Sequence, residues 1–199
     1  MPAAPIPHNE AERLAALRAM ESLDAPEEEP LRRLTAAAAR ITGAPIAAVN
    51  LVDAQREWAA ACIGTDTRQQ DRAVAFCAHA ILSDEPLVVE DNPQVTSDGV
   101  RFYAGVPLRS PDGSRIGALC VKDVRARTID AAQLATLQDL AAAAERLLAQ
   151  QRASRAARRY ESLIQAADEA VISVSTSGVI QTWNAAAERL FQYPADQAI

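Results

Sequence analysis

Phe102-Tyr103-Ala104-Gly105-Val106-Pro107-Leu108, then Ser110-Pro111-Asp112-Gly113, then Ile116-Gly117-Ala118-Leu119-Cys120-Val121-Lys122-Asp123 is the stretch that decides the fold. An Asp-Gly pair between two apolar runs of strand length predicts a β-hairpin, because such turns need residues that tolerate positive φ. Upstream, Pro86 to Asp91 predicts a short strand. Ile46 to Asp53, short and rich in branched residues, predicts another. It turns at Asp53-Ala54-Gln55 into a returning strand from Glu57 to Ile63 that stops at Gly64. Helical spacing predicts three helices in this half. Residues 9–22 carry an Asn9/Glu12 capping pair with Leu14, Leu17 and Met20 inward. Residues 28–42 put Leu31, Leu34 and Ile41 inward and end at Gly43 and Pro45. Arg72 to Leu82 place Val74, Cys77, Ala78 and Ile81 on one face. Hairpin-linked strands between helices predict an α+β fold, an antiparallel β-sheet with flanking helices.

Towards the C-terminus, Asp130 and Gln133 form a second capping pair. No Gly or Pro follows until Gly178, so one helix is expected to reach about Ala167. Leu134, Leu137, Ala141, Ala144 and Leu148 alternate by three and four residues, a heptad-like seam that predicts pairing with a second copy. Leu148 is expected to overhang the sheet. After Gln151 the helix turns basic with Arg152, Arg155, Arg158 and Arg159. Residues 170–174 and 179–183 predict two strands, and Asn184 caps a helix over 185–191. Two strands and one helix cannot bury a core, so this segment is expected to open a second domain. The expected division is a leading tail at 1–8, a globular domain at 9–128, a connecting helix at 129–159 and the start of the second domain at 160–199.

The 199 residues carry 20 basic and 26 acidic side chains, a net charge of −6, with 49% hydrophobic residues. That composition is ordinary for a folded domain and lacks the basic excess of a nucleic-acid-binding face. No apolar run approaches the length of a membrane span, so neither nucleic acid nor membrane is an expected partner. Met1 to Pro7 lacks a basic start followed by an apolar run, so no export signal is expected and the cytoplasm is the default compartment. Three cysteines in such a chain are read as reduced thiols.

Five segments in order resemble the GAF domains at the input end of bacterial sensor histidine kinases and diguanylate cyclases. They are Asn9 to Arg18, Ala44 to Asp53, Phe76-Cys77-Ala78-His79-Ala80-Ile81, Phe102 to Leu108 and Ile116 to Asp123. The end of the chain, Tyr160 to Ile164 and Gly178 to Tyr193, resembles the start of a PAS domain. The resemblance implies a GAF domain at 9–128, a signalling helix and an incomplete PAS segment. It implies the sensory input region of a cytoplasmic signalling protein, not an enzyme, relaying its signal through a dimeric helix to a downstream output domain. The alternatives are a ligand-free dimerisation module, or a methionine sulfoxide reductase of the GAF type.

Candidate pocket residues are Phe76, Cys77, His79, Asp91, Arg101 and Tyr103; Asp98 and Asp123 lie near them in sequence. Cys77 and His79 stand two apart, which points them to different faces of a helix and makes a shared metal geometrically poor. No metal site and no catalytic residue is expected. No cofactor is expected, and a bilin or small-molecule ligand stays open. The bland reading has Cys77 buried on the apolar face with His79 at a pocket rim, and Cys62 and Cys120 in the core.

Overall fold

The computed structural model describes residues 3–92 and 99–199. The chain divides into two compact units, residues 1–152 and 153–199.

In the first unit the hairpin forms as expected. Strand β5 (Phe102–Arg109) pairs with β6 (Arg115–Asp123), and the turn places Gly113 at φ +88°, where a side chain would be strained. Around it, β1 (Ile46–Val52), β2 (Arg56–Ile63), β3 (Gln69–Asp71) and β4 (Leu87–Val89) complete a six-stranded sheet. Its order is β3-β2-β1-β6-β5-β4, with every neighbouring pair antiparallel. The period of two sends alternate side chains to opposite layers. Val49, Leu51, Phe102, Ala104, Leu119 and Val121 join the layer containing helices α1 (Glu10–Ala19), α2 (Glu29–Thr42) and the first half of α4 (Ala131–Ala166). Ala48, Tyr103, Ala118 and Cys120 join the layer under the short helix α3 (Phe76–Ala80).

One departure in β2 matters for function. Val49 pairs with Ala61 but Asn50 pairs with Ala59, so Ala60 is an extra residue, a β-bulge. Below the bulge the facing of β2 is reversed: Glu57 shares the face of Asn50, where an unbroken alternation from Cys62 would have put Trp58.

Several expectations are corrected. The helix expected over 72–82 breaks because Ala75 adopts an extended backbone (φ −83°, ψ 125°). It becomes a 3-10 turn at Arg72–Val74 and then α3, and Val74 is exposed instead of inward. Ile41 is exposed as well. Asn9 does not cap α1 through its side chain; Glu10 in that first turn instead binds Arg13 and Arg72. The capping pair of α4 does form, with Gln133 N–H donating to Asp130 Oδ1 (2.8 Å) and Asp130 N–H to Gln133 Oε1 (3.1 Å).

The seam of α4 turns onto its own chain. Leu137, Ala141, Ala144 and Leu148 are buried in the layer of α1 and α2, and Leu134 is half-buried. Leu148 is 0% exposed and does not overhang the sheet. A stripe that packs on a sheet and a stripe that zips to a second helix have nearly the same spacing, which is why the pattern fits both.

The second unit pairs β7 (Ile172–Val174) with β8 (Ile180–Trp183), followed by α5 (Ala185–Phe191) and α6 (Ala195–Ala198). Asn184 caps α5 by accepting from Ala187 N–H (3.0 Å). Among the described residues no helix is long and apolar enough to cross a membrane.

Candidate functional site

On the face of the sheet under α3 the first unit holds a cavity of about 320 Å³. Four strands and one connection line it: Ile46, Ala48 and Asn50 of β1, Glu57 and Ala59 of β2, Gln69 and Gln70 of β3, Lys122 of β6, and Thr65, Thr67 and Arg68 before β3, with Val100 at the side. Alanines at 48 and 59 leave the space; the polar groups beside them are fixed by neighbours.

Asn50, Glu57 and Lys122 are 3%, 3% and 7% exposed. Asn50 Nδ2 donates to Glu57 Oε1 at 2.6 Å and Gln70 Nε2 donates to the same oxygen at 2.8 Å. Lys122 Nζ lies 3.5 Å from it. Three donors thus converge on one carboxylate oxygen. The other, Glu57 Oε2, is buried and has no hydrogen-bond partner among the described residues. A buried carboxylate oxygen without a donor is expensive, so it is a natural acceptor for a donor group brought in by a ligand. Arg68, also on the lining, spends its Nη2 on the carbonyls of Ala59 and Ala60, and its Nη1 pairs with Glu27.

Behind this floor lies a second cluster. Asn50 Nδ2 stands 3.5 Å from Cys77 Sγ and 3.6 Å from Cys120 Sγ. Cys77 donates its S–H to Cys120 Sγ across 3.8 Å, and the Tyr103 hydroxyl donates to Cys77 Sγ at 3.3 Å. Burial pushes the Cys77 thiol and the Tyr103 phenol well above their ordinary ranges. Cys120 shifts the other way, lowered by the hydrogen bond from Cys77 and by the charge of Lys122 against the opposing effect of burial. Cys62, only partly buried, is raised by desolvation and by Glu27.

Of the six candidate pocket residues, Phe76, Cys77 and Tyr103 come together. The rings of Phe76 and Tyr103 stack at 5.0 Å, and all three side chains are buried under α3. His79 sits half-buried on α3. Asp91 and Arg101 form a two-pronged ion pair at the surface, with side chains 49% and 44% exposed. None of the six lines the cavity. Asp123 is buried and binds Arg127, while Asp98 lies outside the described residues.

The residues that do line it, Asn50, Glu57, Gln70 and Lys122, carried one legible signal. Asn50 and Lys122 interrupt otherwise apolar strands, and Lys122 is the only lysine in the chain. Buried polar groups inside strands need partners, and their partners mark a site.

The GAF domain model matches residues 26–148, and the PAS fold model matches residues 158–199. Over 129 residues the chain is 37% identical to a cyclic di-GMP phosphodiesterase of Pseudomonas aeruginosa, a match covering 60% of this chain and 22% of that protein. The chain therefore spans about a fifth of the length of that relative. Among solved structures it resembles the GAF domain of a phosphoenolpyruvate-protein phosphotransferase from Coxiella burnetii (TM-score 0.56, 17% identity, 73% of this chain and 98% of that one). It also resembles the free methionine-R-sulfoxide reductase of Neisseria meningitidis, solved with its substrate (TM-score 0.52, 23% identity, 78% and 99%). At these identities the two structures speak for the fold alone.

Proposed function

We propose that this chain, which belongs to the GAF domain family, senses a small polar molecule in the cavity over Asn50, Glu57 and Lys122. Its GAF and PAS matches make it a sensory region of signal transduction. The observation that carries the finer reading is the unpartnered Oε2 of Glu57 beside a cavity of about 320 Å³. A ligand that donates a hydrogen bond there offsets the desolvation cost of that oxygen.

The signal passes from the sheet to α4, whose seam lies in the same unit, and onward to a downstream output domain in the cytoplasm. Resemblance to input regions of histidine kinases and diguanylate cyclases supports that place in a signalling protein. The P. aeruginosa relative supports an output that handles a cyclic dinucleotide. In this reading the chain's own residues bind and transmit and carry no catalysis. The ligand-free dimerisation module is the less supported reading, because the seam assigned to dimerisation is covered by its own chain.

Native mass spectrometry of the purified chain tests it. The expected result is an added mass that is lost on denaturation and is missing from Ala59→Leu, which fills the cavity. Equal native and denatured masses in the wild type would overturn the sensing reading.

A further inference from the structure

Cys77 and Cys120 come from distant parts of the chain, the start of α3 and the middle of β6, yet their sulfurs lie 3.8 Å apart. Both side chains are 0% exposed. A thiol in a core is by itself only a small apolar filler. Two thiols in mutual contact, served by two polar donors, are a different arrangement. Asn50 Nδ2 and the Tyr103 hydroxyl both point at this sulfur pair, inside a layer otherwise made of Ala, Val, Ile and Phe side chains.

From these contacts we infer that Cys77 and Cys120 form a redox modification site, a dithiol that closes to a disulfide when a small peroxide reaches it through the cavity. The step balances as follows. Cys120 sulfur attacks one oxygen of hydrogen peroxide, the O–O bond breaks, and the leaving hydroxide takes up a proton as water. Cys120 is then a sulfenic acid. Cys77 sulfur attacks Cys120 sulfur, its proton goes to the departing hydroxyl, and a second water leaves. Two S–H bonds and one O–O bond are lost and one S–S bond and two O–H bonds are gained; the two thiols are oxidised and the peroxide is reduced.

Three features fix the roles. Cys120 is the attacking sulfur because it accepts the S–H of Cys77 and feels the charge of Lys122, which together favour its thiolate. Cys77, pushed towards the neutral thiol by burial, is the resolving partner. Access is set by Asn50: its side chain lines the cavity and touches both sulfurs, so only a molecule small enough to pass that amide arrives. Closing the bond requires the sulfurs to approach to about 2.05 Å, which draws α3 towards β6 and removes the S–H that Cys77 donates. The inference stands apart from the ligand reading above, since it needs the cavity as a passage and not a ligand within it.

The test uses the full chain. After hydrogen peroxide treatment the protein is denatured in an alkylating reagent and weighed. The expected count of alkylated cysteines falls from three to one, the survivor being Cys62, and peptide mapping joins Cys77 to Cys120. Dithiothreitol restores three. In Cys77→Ser, dimedone should label Cys120, and in Cys120→Ser the same peroxide dose should leave Cys77 unlabelled. Oxidised glutathione, too large for the passage, should leave the count at three. The inference fails if three thiols survive peroxide, if the bridge involves Cys62 or a second chain, or if it forms only in urea. Because the wild-type count and map need no variant, a substitution that unfolds the protein leaves the test intact.

Discussion

Arg13 of α1 reaches the last residue of β1, its Nη1 donating to the carbonyl of Val52 at 2.6 Å. The side chain is 1% exposed, and Glu10, one turn back, takes its other two donors at 2.8 and 2.9 Å. Glu10 also binds Arg72, whose Nη1 donates to the carbonyls of Asp53 and Ala54. One carboxylate and two guanidiniums therefore pin α1 and the 3-10 turn to the end of β1.

Arg13→Met should be destabilising, since it leaves the partly buried Glu10 carboxylate and the Val52 carbonyl each short of a donor. Leaving such a group unsatisfied costs about 1–3 kcal/mol. Urea unfolding measures it. Arg13→Lys should recover little, because an ammonium cannot make the fork to Glu10. A loss below about 1 kcal/mol for Arg13→Met would show that the cluster is incidental.

The same cluster sets an acid limit. Burial pushes the Glu10 carboxyl up, but Arg13 and Arg72 outweigh burial and hold it at about 2, below its ordinary 4.5. A carboxyl lowered on folding stabilises above its unfolded value and loses that contribution as pH falls through its folded value. The stability gap between wild type and Glu10→Gln should stay level from pH 8 to about 5 and then shrink towards pH 2. A gap that is unchanged at pH 3, or that widens, contradicts the assignment.

Leu148→Ala should destabilise the first unit by about 2–5 kcal/mol, the range for emptying a buried leucine site. Thermal unfolding with sedimentation velocity separates two outcomes. A lowered transition with no change of mass fits a residue packed on its own sheet. An unchanged transition with loss of a dimer would return the seam to the surface.

Gly105 is required by a side chain two residues away. A Cβ at this position would stand 2.1 Å from the Tyr103 hydroxyl oxygen and 2.5 Å from its ring carbon Cζ. Gly105→Ala must therefore displace a ring that stacks on Phe76 and donates to Cys77. Overpacking of this kind costs about 1–3 kcal/mol. Adding Tyr103→Leu should recover part of it, read as a chemical-denaturation midpoint. Additive losses in the double variant would mean the tyrosine is not the obstacle.

Much of the sheet was legible because its hairpin carries a turn pair, and its central strands are apolar runs of the right length. β3 was not, being three polar residues, Gln69-Gln70-Asp71, on an edge where no alternation shows. α3 was overextended because Val74, Cys77, Ala78 and Ile81 keep helical spacing across Ala75, and spacing carries no record of one extended residue. The site was mostly hidden. Cys77 and Tyr103 were marked by their chemistry and lie just behind the cavity. Glu57 could not be marked at all: the bulge at Ala60 decides which way it faces, and nothing in Ala59-Ala60-Ala61 announces a bulge.

That extra alanine makes the bulge a place where the strand can lose a residue without changing what the cavity meets. Deleting Ala60 would close the ladder with Ala61 still opposite Val49 and Ala59 still opposite Asn50, so Glu57 keeps the face of Asn50 and Lys122. Drawing Ala60 into the ladder instead, by a one-residue slip of the strand below it, would turn Glu57 outward and swing Trp58 onto that face. The acidic floor thus tolerates loss of the bulge residue and disappears when that residue is absorbed into the pairing.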